Sequence, residues 1–309
     1  MSILIVHPDR KTQRTVQRIL GVTGHQVDIA DDLDQGIKLM QHRAPILVIV
    51  DSAAALSPRA DAFFQAAERA GAPSVMTLIS AAAAGDVPKL IGLGAVTNLL
   101  VHPMPVLAEE LTVTAQKLIR KDLFGAEKYL MWGTELHEHP ITRSVQRTYV
   151  IDRIAEAVRA RGQSARVASM AMLVADELIS NAVHNAPIAA DGSRPRKELP
   201  RDIDLPLEGR DTVRLRWGCD ARYVAIEVTD HYGSLDRDTI LGSLAKQDVR
   251  DTGGGAGMGI ALAYRSCDHL VFNLAPGTRT EIIALIDVRY PPAERMPCSS
   301  YNVFVEKTS

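Results

Sequence analysis

Over roughly the first 120 residues, short apolar runs alternate with amphipathic stretches, and no other feature of the chain constrains its fold as tightly. Ile3–Val6, Gln26–Ala30, Ile46–Val50, Val75–Ile79 and Ala95–Val101 read as strands. The first, third and last are nearly continuous apolar segments, the pattern of parallel strands buried on both faces. Lys11–Leu20, Leu33–His42, Arg59–Ala70, Asp86–Leu93 and Val106–Ile119 carry helical periodicity, with Gly21, Gly71 and Gly94 punctuating the ends. Five βα units in succession predict a doubly wound α/β domain with a parallel sheet over residues 1–120.

The pattern then turns polar and mixed over 121–139, which reads as a linker. A second domain, 140–289, opens with two helical patterns, Thr142–Arg161 and Ala165–Asn185. Pro187–Asp211 is rich in Pro, Gly, Arg and Asp without periodicity, and reads as a long surface loop. Strand patterns follow at Thr212–Trp217 and Tyr223–Thr229, then a polar stretch, Ser234–Thr252, that reads as a lid. A glycine run, a helix from about Met258 and two strand patterns, His269–Leu274 and Thr280–Val288, complete the domain. Helices first and antiparallel strands afterwards predict an α+β sandwich. The tail, 290–309, holds one strand pattern, Tyr301–Val305.

Charge and cysteine content exclude several function classes. With 35 Lys+Arg against 37 Asp+Glu, the net charge of −2 offers no basic excess for a phosphate backbone, so no nucleic-acid partner is expected. Cys219, Cys267 and Cys298 form no CxxC pair and no disulfide framework, which fits a reducing compartment. The apolar start of the chain is too short for a signal peptide, and no apolar stretch reaches the ~20 residues of a bilayer span. The expectation is a cytoplasmic protein without a membrane partner.

Particular residues at the strand ends of the first domain carry a resemblance. Asp51 closes LVIVDS, Ser80 closes TLIS, and His102 precedes Pro103 after the fifth strand pattern. This segment resembles a response-regulator receiver domain, in which an Asp at the third strand end accepts phosphate, with a hydroxyl after the fourth strand and a Lys before Pro after the fifth. The resemblance makes Asp51 a vestigial phospho-acceptor. The acidic pair that receivers place after the first strand is here His7-Pro8, with Asp9 one step on, and the Lys is His102. Phosphoryl transfer crowds negative oxygens that Mg²⁺ and Lys⁺ neutralise, so one carboxylate without these partners makes a poor site. The expectation is a receiver-like domain that is not phosphorylated and serves docking or homodimerisation. An unusual but competent acceptor is the other reading.

Three motifs punctuate the second domain. In ADELISNAVHNA, Glu177 and Asn181 are one helical turn apart and share a face, with His184 and Asn185 following. Alone, this is equally an amphipathic core helix with a wet side. In IEVTDHYGSL, Asp230 stands at a strand end ahead of Gly233. In GGGAGMGIALA, Gly255, Gly257 and Gly259 alternate with Ala256 and Met258 ahead of a helix, letting backbone N–H groups approach phosphate oxygens. Gly277-Thr278 lies between the last two strand patterns.

In this order and spacing the motifs resemble the GHKL (Bergerat) ATPase domain shared by histidine kinases, Hsp90, gyrase B and the anti-sigma-factor serine kinases, closest to the last branch. The resemblance implies bound ATP and Mg²⁺. It makes Asn181 the Mg²⁺ ligand, Glu177 the general base and Asp230 the adenine acceptor. His184, Asn185, Gly233, Gly255, Gly257, Met258, Gly259 and Thr278 would surround the nucleotide. The family's Asp-x-Gly-x-Gly is altered here, with two residues between Asp230 and Gly233. His137 and His139 stand too near Asn181 for a phosphorylatable dimerisation hairpin and read as linker histidines. Two functions are open at this level. One is transfer of the γ-phosphate to Ser/Thr of a signalling partner, an anti-sigma-antagonist-like substrate. The other is a nucleotide-gated binding module with little turnover.

Overall fold

A computed structural model describes residues 2–72, 74–102, 108–245, 258–290 and 298–306. The chain divides into two compact units, Met1–Leu123 with Met296–Asn302, and Phe124–Arg295 with Val303–Ser309.

The first unit runs β1 (Ser2–Val6), α1 (Arg10–Gly21), β2 (Gln26–Ala30), α2 (Leu33–His42), β3 (Pro45–Asp51), α3 (Ser52–Ala55), α4 (Ala60–Arg69), β4 (Val75–Ser80), α5 (Val87–Gly92), β5 (Asn98–His102) and α6 (Ala108–Arg120). Its parallel strands are ordered β2-β1-β3-β4-β5. Side chains alternate across the sheet, so Ile3 and Ile5 share one face with Leu47, Ile49, Met76, Leu78 and Leu100. Val16 and Leu20 of α1 and Leu111 and Ala115 of α6 close that layer. The other face receives α2 and α4, which pack on each other. Each buried aliphatic side chain contributes about 1.5–3 kcal/mol, and both faces of β1 are buried throughout.

The tail pattern at Tyr301–Val305 lies within a strand, Ser300–Val305. Its beginning pairs antiparallel with β5 through Tyr301 and Asn302. Buried polar groups fix that register: Asn302 Nδ2 donates to Asn98 Oδ1 at 2.8 Å, Tyr301 Oη to Val96 O at 3.0 Å, and Val101 N to Ser300 Oγ at 3.0 Å. The start of this strand therefore completes the first unit's sheet.

The second unit contains β6 (His137–Ile141), α7 (Gln146–Ala160), α8 (Ala165–Ser180), β7 (Val213–Cys219), β8 (Tyr223–Asp230), α9 (Arg237–Leu244), α10 (Gly259–Ser266), β9 (His269–Ala275) and β10 (Arg279–Asp287). Its antiparallel strands are ordered β9-β10-β8-β7-β6. Helix α8 packs on β8 and β10, α10 on β9 and β10, and α7 on α8. The unit is thus α+β, with a helical layer on one sheet face. His137 and His139 lie in the edge strand β6 rather than in a linker, with the His137 ring 4.3 Å from that of Trp217. Pro140 is tolerated there because an edge strand has a side that makes no ladder bond.

The opposite sheet face carries buried charge. Glu227 of β8 and Glu281 of β10 are fully buried. Each carboxylate accepts a main-chain N–H from the segment entering the unit, Ala126 N to Glu227 and Gly125 N to Glu281, both at 2.8 Å. Arg214 and Arg216 of β7 reach Glu227 at 3.2 and 3.4 Å. Asn273 of β9 donates to Glu281 at 2.8 Å. Burial, and then the Glu281 charge, push the Glu227 carboxyl up to about 7.

Candidate functional site

At the carboxyl ends of the first unit's parallel strands, Asp51 turns its carboxylate onto the chain that follows it. It accepts from Ala53 N at 2.9 Å and Ala54 N at 3.2 Å, capping α3. His7 Nε2 lies 3.5 Å from Asp51 Oδ1. The His7 Nδ1 accepts Asp9 N–H at 3.0 Å, which leaves Nε2 as the ring nitrogen that faces Asp51. Asp9 is committed elsewhere: it caps α1 by accepting from Thr12 N and Thr12 Oγ1, both at 2.7 Å. His102 is buried at the end of β5 and paired in register with Ser80. Here the Asp51 carboxylate faces the His7 imidazole.

A cavity of about 490 Å³ opens in the second unit. Its floor comes from β8 and β10, with Val228, Asp230, Thr280 and Ile282 facing inward. One wall is the C-terminal end of α8, a helix whose opposite end Ser164 caps by accepting from Val167 N at 3.3 Å. The helix then widens into a π turn over Asn181–Asn185, closed by Ala186 N donating to Asn181 O at 3.0 Å. Such turns recur at functional sites because they re-aim side chains. Here Asn185 Nδ2 donates to Asn181 Oδ1 at 2.7 Å, and both residues line the cavity. Gly259 and Ile260 at the start of α10, and Ser234, Leu235, Thr239 and Ser243 from the segment after β8, complete the walls.

Asp230 is 7% exposed. Its Oδ1 accepts from Tyr232 N at 2.8 Å and Gly233 N at 3.2 Å, closing a turn on its own side chain. Burial raises its carboxyl above the ordinary range, and the two N–H groups oppose that rise. His231 and Tyr232, the two residues between Asp230 and Gly233, lie in this turn. Gly233, at φ +57, abuts the β9–β10 hairpin: a Cβ there would meet Ala275 O at 2.2 Å and Thr278 N at 2.6 Å. Gly277 N donates to Gly233 O at 3.0 Å, locking the turn to the hairpin. Gly233 thus holds Asp230 through its N–H, and neither Gly233 nor Thr278 is part of the cavity lining.

Glu177 also lies outside that lining. Its Oε2 packs behind Gly259, where a Cβ would approach it to 2.6 Å, and sits 3.5 Å from Arg201. His184 turns away from the cavity and is buried, its Nδ1 3.4 Å from the Arg196 carbonyl. Burial holds the His184 imidazole below its ordinary range. Met258 does not line the cavity, and Gly255 and Gly257 lie outside the described residues, as does the later part of the predicted lid, while α9 occupies its earlier part.

The segment 187–211, a plain surface loop by its sequence, is a strap across the site. Arg194 donates to the Asn185 carbonyl and, at 3.3 Å each, to Ser234 Oγ and Ser234 O, tying the π turn to the segment after β8. Arg196 pairs with Asp211 at 2.5 Å, and Tyr232 donates to the same Asp211. Arg210 stacks 4.7 Å over Tyr232 and donates to His231 O at 2.7 Å and Gly277 O at 2.8 Å. Arg194 and Lys197 line the cavity. Sequence motifs missed both; the available signal was the run of Arg194, Arg196, Lys197 and Arg201 directly after an Asn-bearing helix.

Solved structures similar to this chain align with less than its full length. The receiver domain of NtrX from Brucella abortus is 21% identical, covering 39% of this chain and 100% of that one, with a TM-score of 0.33. A response-regulator receiver domain protein from Clostridium thermocellum is 19% identical, covering 39% and 94%, with a TM-score of 0.32. NtrX from Brucella abortus in complex with ATP is 19% identical, covering 50% of this chain and 34% of that one, with a TM-score of 0.33. No family model and no curated protein matches the chain. The class of the first unit follows from its own sheet: the parallel order 2-1-3-4-5 is that of the flavodoxin-like doubly wound folds, and the unit is receiver-like α/β. Among the described residues, no helix is long and apolar enough to cross a membrane.

Proposed function

We propose that the second unit is a GHKL-type domain that binds ATP with Mg²⁺, and that the protein is a signalling protein whose receiver-like unit docks or dimerises without being phosphorylated. The carrying observation is that a single cavity gathers Asn181, Asn185, Asp230 and Gly259 from segments far apart in the chain. The donor set suits an adenine nucleotide. Asp230 is a buried acceptor for an exocyclic amine, the apolar Val228 and Ile282 suit a base, and Arg194 and Lys197 bring positive charge. Among the described residues no group of three His, Cys, Asp or Glu could hold a metal. That suits Mg²⁺ held chiefly by phosphate oxygens and water, with the Asn181 carbonyl as the protein ligand. Bound there, Mg²⁺ would neutralise phosphate charge.

For γ-phosphate transfer to a Ser/Thr hydroxyl, Glu177 takes the hydroxyl proton as the new P–O bond forms and ADP leaves. A second reading, the nucleotide-gated binding module, draws on the Arg201–Glu177 contact and the position of Glu177 behind Gly259, since the base must leave that partner before it can act. Calorimetry of the full chain with ATP and Mg²⁺ tests binding, and Asp230→Asn is expected to weaken adenosine and ATP alike. Glu177→Gln separates the readings. Under transfer it binds ATP as wild type does while turnover falls ~10²–10⁴-fold, the worth of a positioned general base. Absence of ATP binding at millimolar ligand would overturn the proposal.

A further inference from the structure

We infer that Lys197, presented by the strap 187–211, is the anion-binding residue of the cavity and takes a phosphate of a nucleoside di- or triphosphate. The inference rests on the adenine-nucleotide reading of the same cavity and assigns the residue that recognises the ligand's charged end.

Three charged side chains line the cavity among the described residues: Asp230, Arg194 and Lys197. Asp230 is buried and its Oδ1 is committed to the turn that follows it. Arg194 spends its donors on the carbonyl of Asn185 and on Ser234, so it braces two walls. The same brace sets the position of Lys197, whose main-chain N–H donates to Arg194 O at 3.2 Å. Two acids of the surrounding segments are engaged by other partners: Asp211 holds Arg196 and Tyr232, and Glu177 faces Arg201. Glu198, next in the chain, is exposed and makes no ion pair with Lys197. The Lys197 ammonium is exposed on the cavity lining and has no hydrogen-bond or ion-pair partner among the described residues.

The described lining is therefore dipolar, with a buried acceptor on the sheet floor and, on the strap, a cation without a partner among the described residues. A ligand with hydrogen-bond donors on a flat apolar end and several negative oxygens at the other satisfies both. An ammonium binds phosphate as a compact point charge with three rotatable donors, so it needs no pre-set acceptor geometry.

The test titrates the full chain and its Lys197→Gln, Lys197→Arg and Asp230→Asn variants with adenosine, ADP and ATP, with Mg²⁺ present, at two ionic strengths. Lys197→Gln is expected to weaken ADP and ATP about 10–100-fold, the worth of a hydrogen bond to a charged group, and to leave adenosine unchanged. Its ATP affinity should also fall less steeply with salt. Lys197→Arg retains most of the affinity. Because Lys197 is exposed, melting temperatures should match across the lysine variants. If Lys197→Gln binds ATP as wild type does while Asp230→Asn weakens adenosine, the assignment of Lys197 is overturned and the adenine reading stands. If wild type binds none of the three, both fall.

Discussion

Gly233→Ala and Gly277→Ala form a matched pair that measures how rigidly the Asp230 turn is held. Both glycines have positive φ, +57 and +71, and they are joined by the Gly277 N to Gly233 O hydrogen bond. Left-handed backbone costs an L-residue roughly 1–2 kcal/mol, so that strain is common to both. The surroundings differ. A Cβ at Gly277 meets nothing within 4 Å. At Gly233 it meets Ala275 O at 2.2 Å, Thr278 N at 2.6 Å and Arg279 N at 2.7 Å, all main-chain atoms that no rotamer change can clear. Relief requires the turn and the hairpin to separate. That strains two hydrogen bonds, Gly277 N to Gly233 O at 3.0 Å and Gly233 N to Asp230 Oδ1 at 3.2 Å. At about 1 kcal/mol each, they bring Gly233→Ala to about 3–4 kcal/mol against about 1–2 for Gly277→Ala. Urea unfolding followed by tryptophan emission reads this directly, because Trp132 and Trp217, the two tryptophans of the chain, both lie in the second unit. Trp217 is buried, so its emission should shift on unfolding. Gly233→Ala should also lose adenosine affinity, since the displaced turn carries Asp230. Equal costs for the two variants would refute the argument that the hairpin backbone confines Gly233.

Two further outcomes follow from the charged groups. Glu227 is held at about 7 in the folded chain against an ordinary 4.5, so the folded state binds more protons than the unfolded state between those values. Its stabilising contribution is therefore full below about pH 4.5 and is lost as pH rises through about 7, with a slope of at most about 1.4 kcal/mol per pH unit. Glu281, Arg214 and Arg216 face the same carboxylate, and urea unfolding of Glu227→Gln across this range should show that slope flattened; an unchanged slope assigns it to another group. Acetyl phosphate with Mg²⁺ should leave the first unit unmodified, because Asp51 is taken up in capping α3 and faces the His7 imidazole. A stoichiometric mass increase that disappears in Asp51→Asn would reverse that.

What could be read in advance depended on how far apart the interacting residues lie. The first unit's strands were legible because a parallel strand covered on both faces must be apolar along its length, as Ile3–Val6 and Ile46–Val50 are. That Asp230 and Asn181 stand at element ends was legible because each closes an element whose local pattern is strong. Strand β6 was not, since His-Glu-His-Pro offers no apolar alternation, and an edge strand needs burial only where it meets its neighbour. The Glu227–Glu281 pair left a faint signal: one acid inside IEV, another inside TEII, and the alternating arginines of RLR on the strand before. Opposite charges at alternate positions of apolar strands face each other only when the register is right, and that register is a long-range property. The strap was least legible of all. Arg194 reaches Ser234, 40 residues on, and Arg210 reaches Gly277, 67 residues on. Neither contact belongs to a repeating element, so no periodicity announces it. An aperiodic loop whose arginines each find a main-chain or acid partner is a folded part of the site, and its one lysine, Lys197, which has no partner among the described residues, is the residue proposed above to meet a negatively charged ligand.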